Sequence, residues 1–132
     1  MSARVIHFLS LNRVLELHED QIARYGGDAS VRDHGLLQSA IEMPRSSFGG
    51  QWLHEFPQGM AAAYLFHIVQ NHPFVDGNKR TGLAAAIAFL GINDFDLDVS
   101  PTELQDFVLG VARGDIAKEA VVEFCRSRIV KL

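Results

Sequence analysis

The sequence predicts an all-α fold: a compact single-domain bundle of about six helices covering residues 1–132. Three observations carry that prediction. Apolar residues recur at spacings of three and four through most of the chain, the period of an amphipathic helix. Two segments, Pro57–Gln70 and Lys79–Ile92, are apolar nearly all round, as helices in the middle of a domain are. Only one short run near the start, "RVIHFL" (residues 4–9), resembles a strand.

The helices follow in order. Ser10 is placed to cap a first helix with Val14, Leu15, His18, Ile22 and Tyr25 on one side, and Gly26-Gly27 ends it. Asp33 caps a second, with Leu36, Leu37, Ala40 and Ile41 as its stripe and Pro44 as its stop. Arg45–Phe56 is irregular, and Gly49-Gly50 between Phe48 and Trp52 suits a short hairpin. The two apolar segments form the central helices. "SPTE" (residues 100–103) then signals a helix start: Ser100 as cap, Pro101 at the first position and Glu103 completing a capping box. Leu104, Phe107, Val108 and Val111 give that helix its buried face, and Gly114 ends it. Asp115 is expected to cap a last helix, with Ala120, Phe124, Cys125 and Ile129 facing inward.

Composition narrows the function. Hydrophobic residues make up 48% of the chain, which supplies a core and argues against disorder. A formal net charge of −4 disfavours direct nucleic-acid binding, which runs on Lys and Arg neutralising phosphates, but leaves room for a small anion site. The single cysteine, Cys125, allows no internal disulfide, fits a reducing cytosol and reads as a buried small hydrophobe. The N-terminus carries no signal-peptide pattern. The longest apolar run, Leu83–Ile92, is shorter than the roughly 20 residues of a membrane span. A cytoplasmic protein without membrane contact is expected.

The chemistry concentrates in "QNHPFVDGNKRTG" (residues 70–82), a polar loop between the two apolar helices. Pro73 disfavours helical geometry at His72, so the first central helix ends there. Gly77 permits a left-handed turn into the next helix, whose free amides and positive dipole end form an anion cradle. Lys79 and Arg80 add two cations, and phosphate is the anion that best uses such a set. Asp76 is a carboxylate suited to holding Mg²⁺ on phosphate oxygens. His72 is a candidate proton acceptor for a hydroxyl. Phe74 is read as a core anchor of the loop. Taken singly, each polar residue has an ordinary explanation: a helix-end histidine, a turn, a solvated charge pair. Their concentration in one loop between buried helices favours a phosphate site. His18 and His67 read as core or boundary residues, His7, His34 and His54 have no metal-ligand spacing, and Asp94, Asp96 and Asp98 read as a solvated turn.

The loop segment "HPFVDGNKRTG" resembles the signature of the Fic/Doc superfamily. "LELHEDQIARYGG" and "FLGINDFDLDVSPTELQDFVLGVARGDI" are similar in order and spacing to its Doc (death-on-curing) branch, so the resemblance covers residues 10–129. It implies the Fic fold and ATP as substrate, with His72 as the base that takes the target's hydroxyl proton. It further implies Asp76 on Mg²⁺, Gly77 and Asn78 in the phosphate cradle, Arg80 on phosphate, and a flap at residues 45–52 that docks the target. Two departures separate the branches. Lys79 stands where Fic adenylyltransferases have Gly, and Leu83 where they have a second Arg. Both match the Doc branch, a kinase-like toxin of type II toxin–antitoxin systems that phosphorylates elongation factor Tu. AMP transfer at the same site, or a non-catalytic module that only binds an antitoxin, are the alternatives. No Ser or Thr in the chain has a Glu four residues later, so the inhibitory Ser/Thr-x-x-x-Glu helix of many Fic proteins is absent, and a Phd-like antitoxin is the implied inhibitor.

Overall fold

In the computed structural model, which describes residues 4–132, side chains cap the helices at three of the predicted places. Ser10 Oγ accepts from the Arg13 amide at the start of α1 (Leu11–Tyr25), Asp33 from Leu36 at α2 (His34–Glu42), and Ser100 from Glu103 at α5 (Pro101–Arg113). The central pair, α3 (Gln58–Asn71) and α4 (Asn78–Ile92), lies within a residue of the apolar segments read from sequence. Met60–Leu65, Ile68 and Val69 of α3 are buried, as are Ala85, Ala86, Phe89 and Leu90 of α4, so this pair forms the middle of the core. Gly82 lets the two backbones close up: a Cβ there would lie 2.8 Å from Val69 Cγ2 and 3.2 Å from the Leu65 carbonyl.

A 3-10 turn, Met43–Arg45, carries Pro44 and ends α2. The predicted hairpin follows it, as the two-residue strands β1 (Ser47–Phe48) and β2 (Gln51–Trp52) in antiparallel register around Gly49-Gly50. Phe48 is 82% exposed and Trp52 half exposed, so the hairpin projects apolar side chains outward.

Four expectations are corrected. Residues 4–9 form no strand. Their backbone lies against helices rather than a sheet, and side chains take its hydrogen bonds: Asn93 pairs with both the N–H and C=O of His7, and Tyr64 Oη accepts from Leu9. Asp115 does not cap the last helix, because its N–H donates back to Gly110 while Gly114, at φ 83°, donates to Val111. That is a Schellman closure of α5. The last helix, α6 (Lys118–Arg128), starts after Ala117 without a side-chain cap; Val121 and Cys125 are buried, whereas Ala120 is exposed. The chain then leaves the helix, and β4 (Ile129–Lys131) pairs antiparallel with β3 (Phe95–Leu97), so Ile129 belongs to a strand and Asp96 to its partner. The capping box at α5 is only half formed, since the Glu103 carboxylate turns to Arg128, 2.6 Å away.

A basic cluster lies between the base of the hairpin, α3 and α6. Lys118 Nζ donates to His54 Nε2 at 2.8 Å, which places the His54 proton on Nδ1. His54 Nδ1 and His67 Nε2 are both buried without a hydrogen-bond partner. His67 is the boundary residue expected, half-buried, but its Nε2 is left without a partner. Burial foremost, then the Lys118 charge, holds both imidazoles below the ordinary histidine range, His67 down to about 4. No helix among the described residues is long and apolar enough to cross a membrane.

Candidate functional site

The loop between α3 and α4 owes its shape to two left-handed residues. His72, at φ 51° and ψ 53°, stops α3, and Gly77, at φ 83° and ψ 15°, starts α4. Glycine takes this conformation freely; for His72 it costs about 1–2 kcal/mol, which surrounding contacts must offset. Between them Phe74 is fully buried and anchors the loop as expected. The imidazole of His18 stacks on its ring at 3.7 Å, and His18 Nε2 donates to the Asp76 carbonyl at 2.7 Å.

Asn78 is buried, and its carboxamide is spent on the loop itself. Its Oδ1 accepts from the Phe74 amide and its Nδ2 donates to the Phe74 carbonyl, each at 2.9 Å. Asp76 is exposed. One of its oxygens accepts from the Asp28 amide at 2.8 Å, which ties the α1–α2 loop to the site. The close approach also needs Gly27, where a Cβ would meet Asp76 Cβ at 3.0 Å. Hydrogen bonds from Ser30, first from its side chain and then from its backbone, hold the neighbouring Asp28 carboxyl below its usual range.

The first turn of α4 has no side-chain cap, a feature it shares with α3 and α6. What sets it apart is its setting. Gly77, Asn78, Lys79 and Arg80 open onto a cleft of about 610 Å³ that continues between Leu83 and Ile87 of α4, Gln21 and Tyr25 of α1, and Gln105 and Leu109 of α5. The Arg80 guanidinium rests over the Tyr25 ring, 4.4 Å from its centroid, a cation–π contact that steadies the charge at the mouth. The structure thus gathers four of the expected site residues on one cleft. His72 and Asp76 are exposed on the loop that leads into it and do not line it. A second hollow, of about 400 Å³ beside Leu9, Gln38, Ile41 and Arg45, shares no residue with the loop.

A family model described as Fic/DOC family matches residues 8–90, which include α1 to α3, the whole loop and all but the last two residues of α4. The chain belongs to the Fic/DOC family. Among characterised members, it is 44% identical over 80 residues to Toxin Doc of Mycolicibacterium smegmatis, a match covering 56% of this chain and 62% of that relative's length. It is 31% identical over 118 residues to Protein kinase doc of Escherichia phage P1, covering 89% of this chain and 92% of that protein. The helical architecture agrees with a Fic-type domain.

Within this Fic/DOC domain, three supports of the loop escape sequence reasoning: His18, Asp28 and Arg32. Arg32 Nε donates to the His72 carbonyl at 2.6 Å and Nη2 to the Asn71 carbonyl at 2.9 Å. All three act across 39 to 58 residues of chain, a separation that no local pattern encodes. No group of three or more His, Cys, Asp or Glu side chains among the described residues is arranged to hold a metal. The lone carboxylate of Asp76, with one oxygen on the Asp28 amide and the other free of protein partners, fits a cation whose remaining ligands are phosphate oxygens and water.

Proposed function

We propose that the protein is a Doc-type toxin of a toxin–antitoxin system and that it transfers the γ-phosphoryl group of ATP to a hydroxyl side chain of a protein target. The observation that carries this reading is the uncapped first turn of α4, with left-handed Gly77 before it and Lys79 and Arg80 on it, opening onto a cleft. Amides at a helix start, reinforced by two cations, suit the phosphates of a nucleotide. The kinship with a phage protein named a protein kinase supports phosphoryl transfer. So do Lys79 and Leu83, since a lysine occupies space at the cradle and a leucine at the cleft wall gives phosphate no donor.

In this reading the chain contributes position and charge. His72 accepts the hydroxyl proton as the oxygen attacks the γ-phosphorus; the bond to the β,γ-bridging oxygen breaks, and ADP leaves. Lys79, Arg80 and the α4 amides offset charge on the phosphates. Asp76 would hold Mg²⁺, which neutralises phosphate charge when bound. Asn78 acts on the phosphates indirectly, by fixing the turn that presents the amides. The exposed hairpin, with Phe48 and Trp52, is the proposed seat of the target segment, and a translation elongation factor is the target class implied by the resemblance. A Phd-like antitoxin is the proposed inhibitor, and the cleft past Gly77, flanked by the exposed Ile87 and Leu109, offers an apolar seat for a segment that folds on binding.

Incubation with bacterial lysate and ATP labelled at either the γ or the α phosphorus tests the reading. Transfer from γ alone is expected, and His72→Ala should abolish it while leaving the fold intact. Transfer from α would identify the runner-up, adenylyl transfer. Neither label would leave an antitoxin-binding module.

A further inference from the structure

The structure assigns Arg32 as a positioning residue for His72, an inference that rests on His72 being the base proposed above. His72 precedes Pro73, and a residue before proline is pushed toward extended backbone; histidine visits the left-handed region more often than most side chains, but at this position it does so against that push and at a cost. Yet His72 sits at φ 51° and ψ 53°, and that pair of angles sets the direction in which its imidazole leaves the chain.

Arg32 provides the restraint. It is exposed, and it makes no ion pair with any carboxylate among the described residues. Its guanidinium fork is directed instead at two consecutive carbonyls, those of His72 at 2.6 Å and Asn71 at 2.9 Å. These lie at the carbonyl end of α3, where oxygens lack intrahelical partners and the dipole is negative, so a planar cation is matched to them in both geometry and charge. The main chain completes the bracket. The amides of Arg32 and Asp33 both donate to the Pro73 carbonyl, at 2.7 and 3.1 Å, and Val75 donates to Ser30 at 3.0 Å. Three successive carbonyls, residues 71 to 73, are thus held from one side by residue 32 and its neighbour.

The division of labour makes the inference testable. Arg32→Ala removes only the two side-chain bonds; the amide bonds to Pro73 remain, so the loop stays attached and the protein folds. Residue 72 is then free to take the extended conformation, which swings the imidazole. A misplacement of about 1 Å at a catalytic group costs on the order of 100-fold in rate, so kcat should fall between about 10- and 100-fold. KM for ATP should change less than about twofold, because the cradle at Gly77 to Arg80 is untouched. Arg32→Lys should recover only part of the loss, since a point ammonium cannot span two carbonyls as the fork does.

NMR of histidine-labelled protein reads the geometry without activity: residue 72 should report a positive φ in the wild type and lose it in Arg32→Ala. Retention of the left-handed backbone and of full kcat in Arg32→Ala would overturn the inference. A wild-type protein with no transfer activity would refute the proposed function; the backbone of residue 72 would still decide whether Arg32 sets it.

Discussion

The carboxamide of Asn78 closes on the backbone of Phe74 with two hydrogen bonds of 2.9 Å, one donated and one accepted. Both lie in the protein interior, so neither backbone group has water to fall back on if the side chain is removed. Asn78→Ala should therefore destabilise the fold by about 2–3 kcal/mol, the cost of leaving buried polar groups unpaired. Asn78→Asp keeps the acceptor but sets a carboxylate against the Phe74 carbonyl, and should be no better. Urea midpoints at constant slope measure both; a loss below about 0.5 kcal/mol for the alanine would show that the pair does not hold the loop.

Two glycines of α4 should answer the same substitution with opposite signs. At Gly82 an added methyl meets the branched Val69 side chain at 2.8 Å and the Leu65 carbonyl at 3.2 Å, and neither is a flexible tip that yields cheaply. Overpacking of this kind costs about 1–3 kcal/mol, against about 1 kcal/mol regained in helix propensity, so Gly82→Ala should be a net loss. At Gly91 nothing lies within 4 Å, and Gly91→Ala should raise stability by about 0.5 kcal/mol, limited by its place one residue from the helix end. Paired thermal melts decide the comparison.

Stability should fall with acidification between pH 6.5 and about 4. His67 is held down to about 4 in the folded protein, against 6.5 for the ordinary group. Between these values the unfolded chain binds a proton that the folded one refuses, so protons favour unfolding. The contribution is fully present above pH 6.5 and is lost as pH drops toward 4; His54, shifted the same way, adds to it. Denaturation midpoints across this range should show the slope, and His67→Leu should flatten it. An unchanged slope in that variant would clear His67 of the effect.

Arg80→Ala should weaken ATP binding about 10- to 100-fold by calorimetry, the range for losing a hydrogen bond to a charged group. Tyr25→Ala, which removes the ring beneath the guanidinium but no donor, should weaken it by less. Equal effects would mean that the stack, and not the charge, provides the affinity.

The sequence displayed what is local. The Ser10, Asp33 and Ser100 caps, the Gly49-Gly50 hairpin and the end of α3 before Pro73 each follow from neighbouring residues, and all appear in the structure. Three of the four corrections share one cause, which is that a distant group outbids the local one; the fourth, Asp115, is taken by the closure of the preceding helix. Asn93 and Tyr64 claim the backbone that reads as a strand, Arg128 claims Glu103, and β3 draws Ile129 out of the last helix. The candidate site divides the same way. Gly77 to Arg80 were legible as one group because they are consecutive, and they face one cleft. The tie of Asn78 to Phe74 and the supports from His18, Asp28 and Arg32 were not, since side-chain direction and long-range contact leave no periodic trace.

Cys125 is the only thiol in the chain; it lies 1% exposed in the core, and burial pushes it up to about 12. A thiol that neither meets solvent nor ionises near neutrality is a poor nucleophile toward maleimides and iodoacetamides. The native protein is therefore a silent background for labelling. A cysteine introduced at Phe48, on the tip of the hairpin, would take a fluorophore alone, and the movement of that hairpin could be followed without first removing anything from the interior.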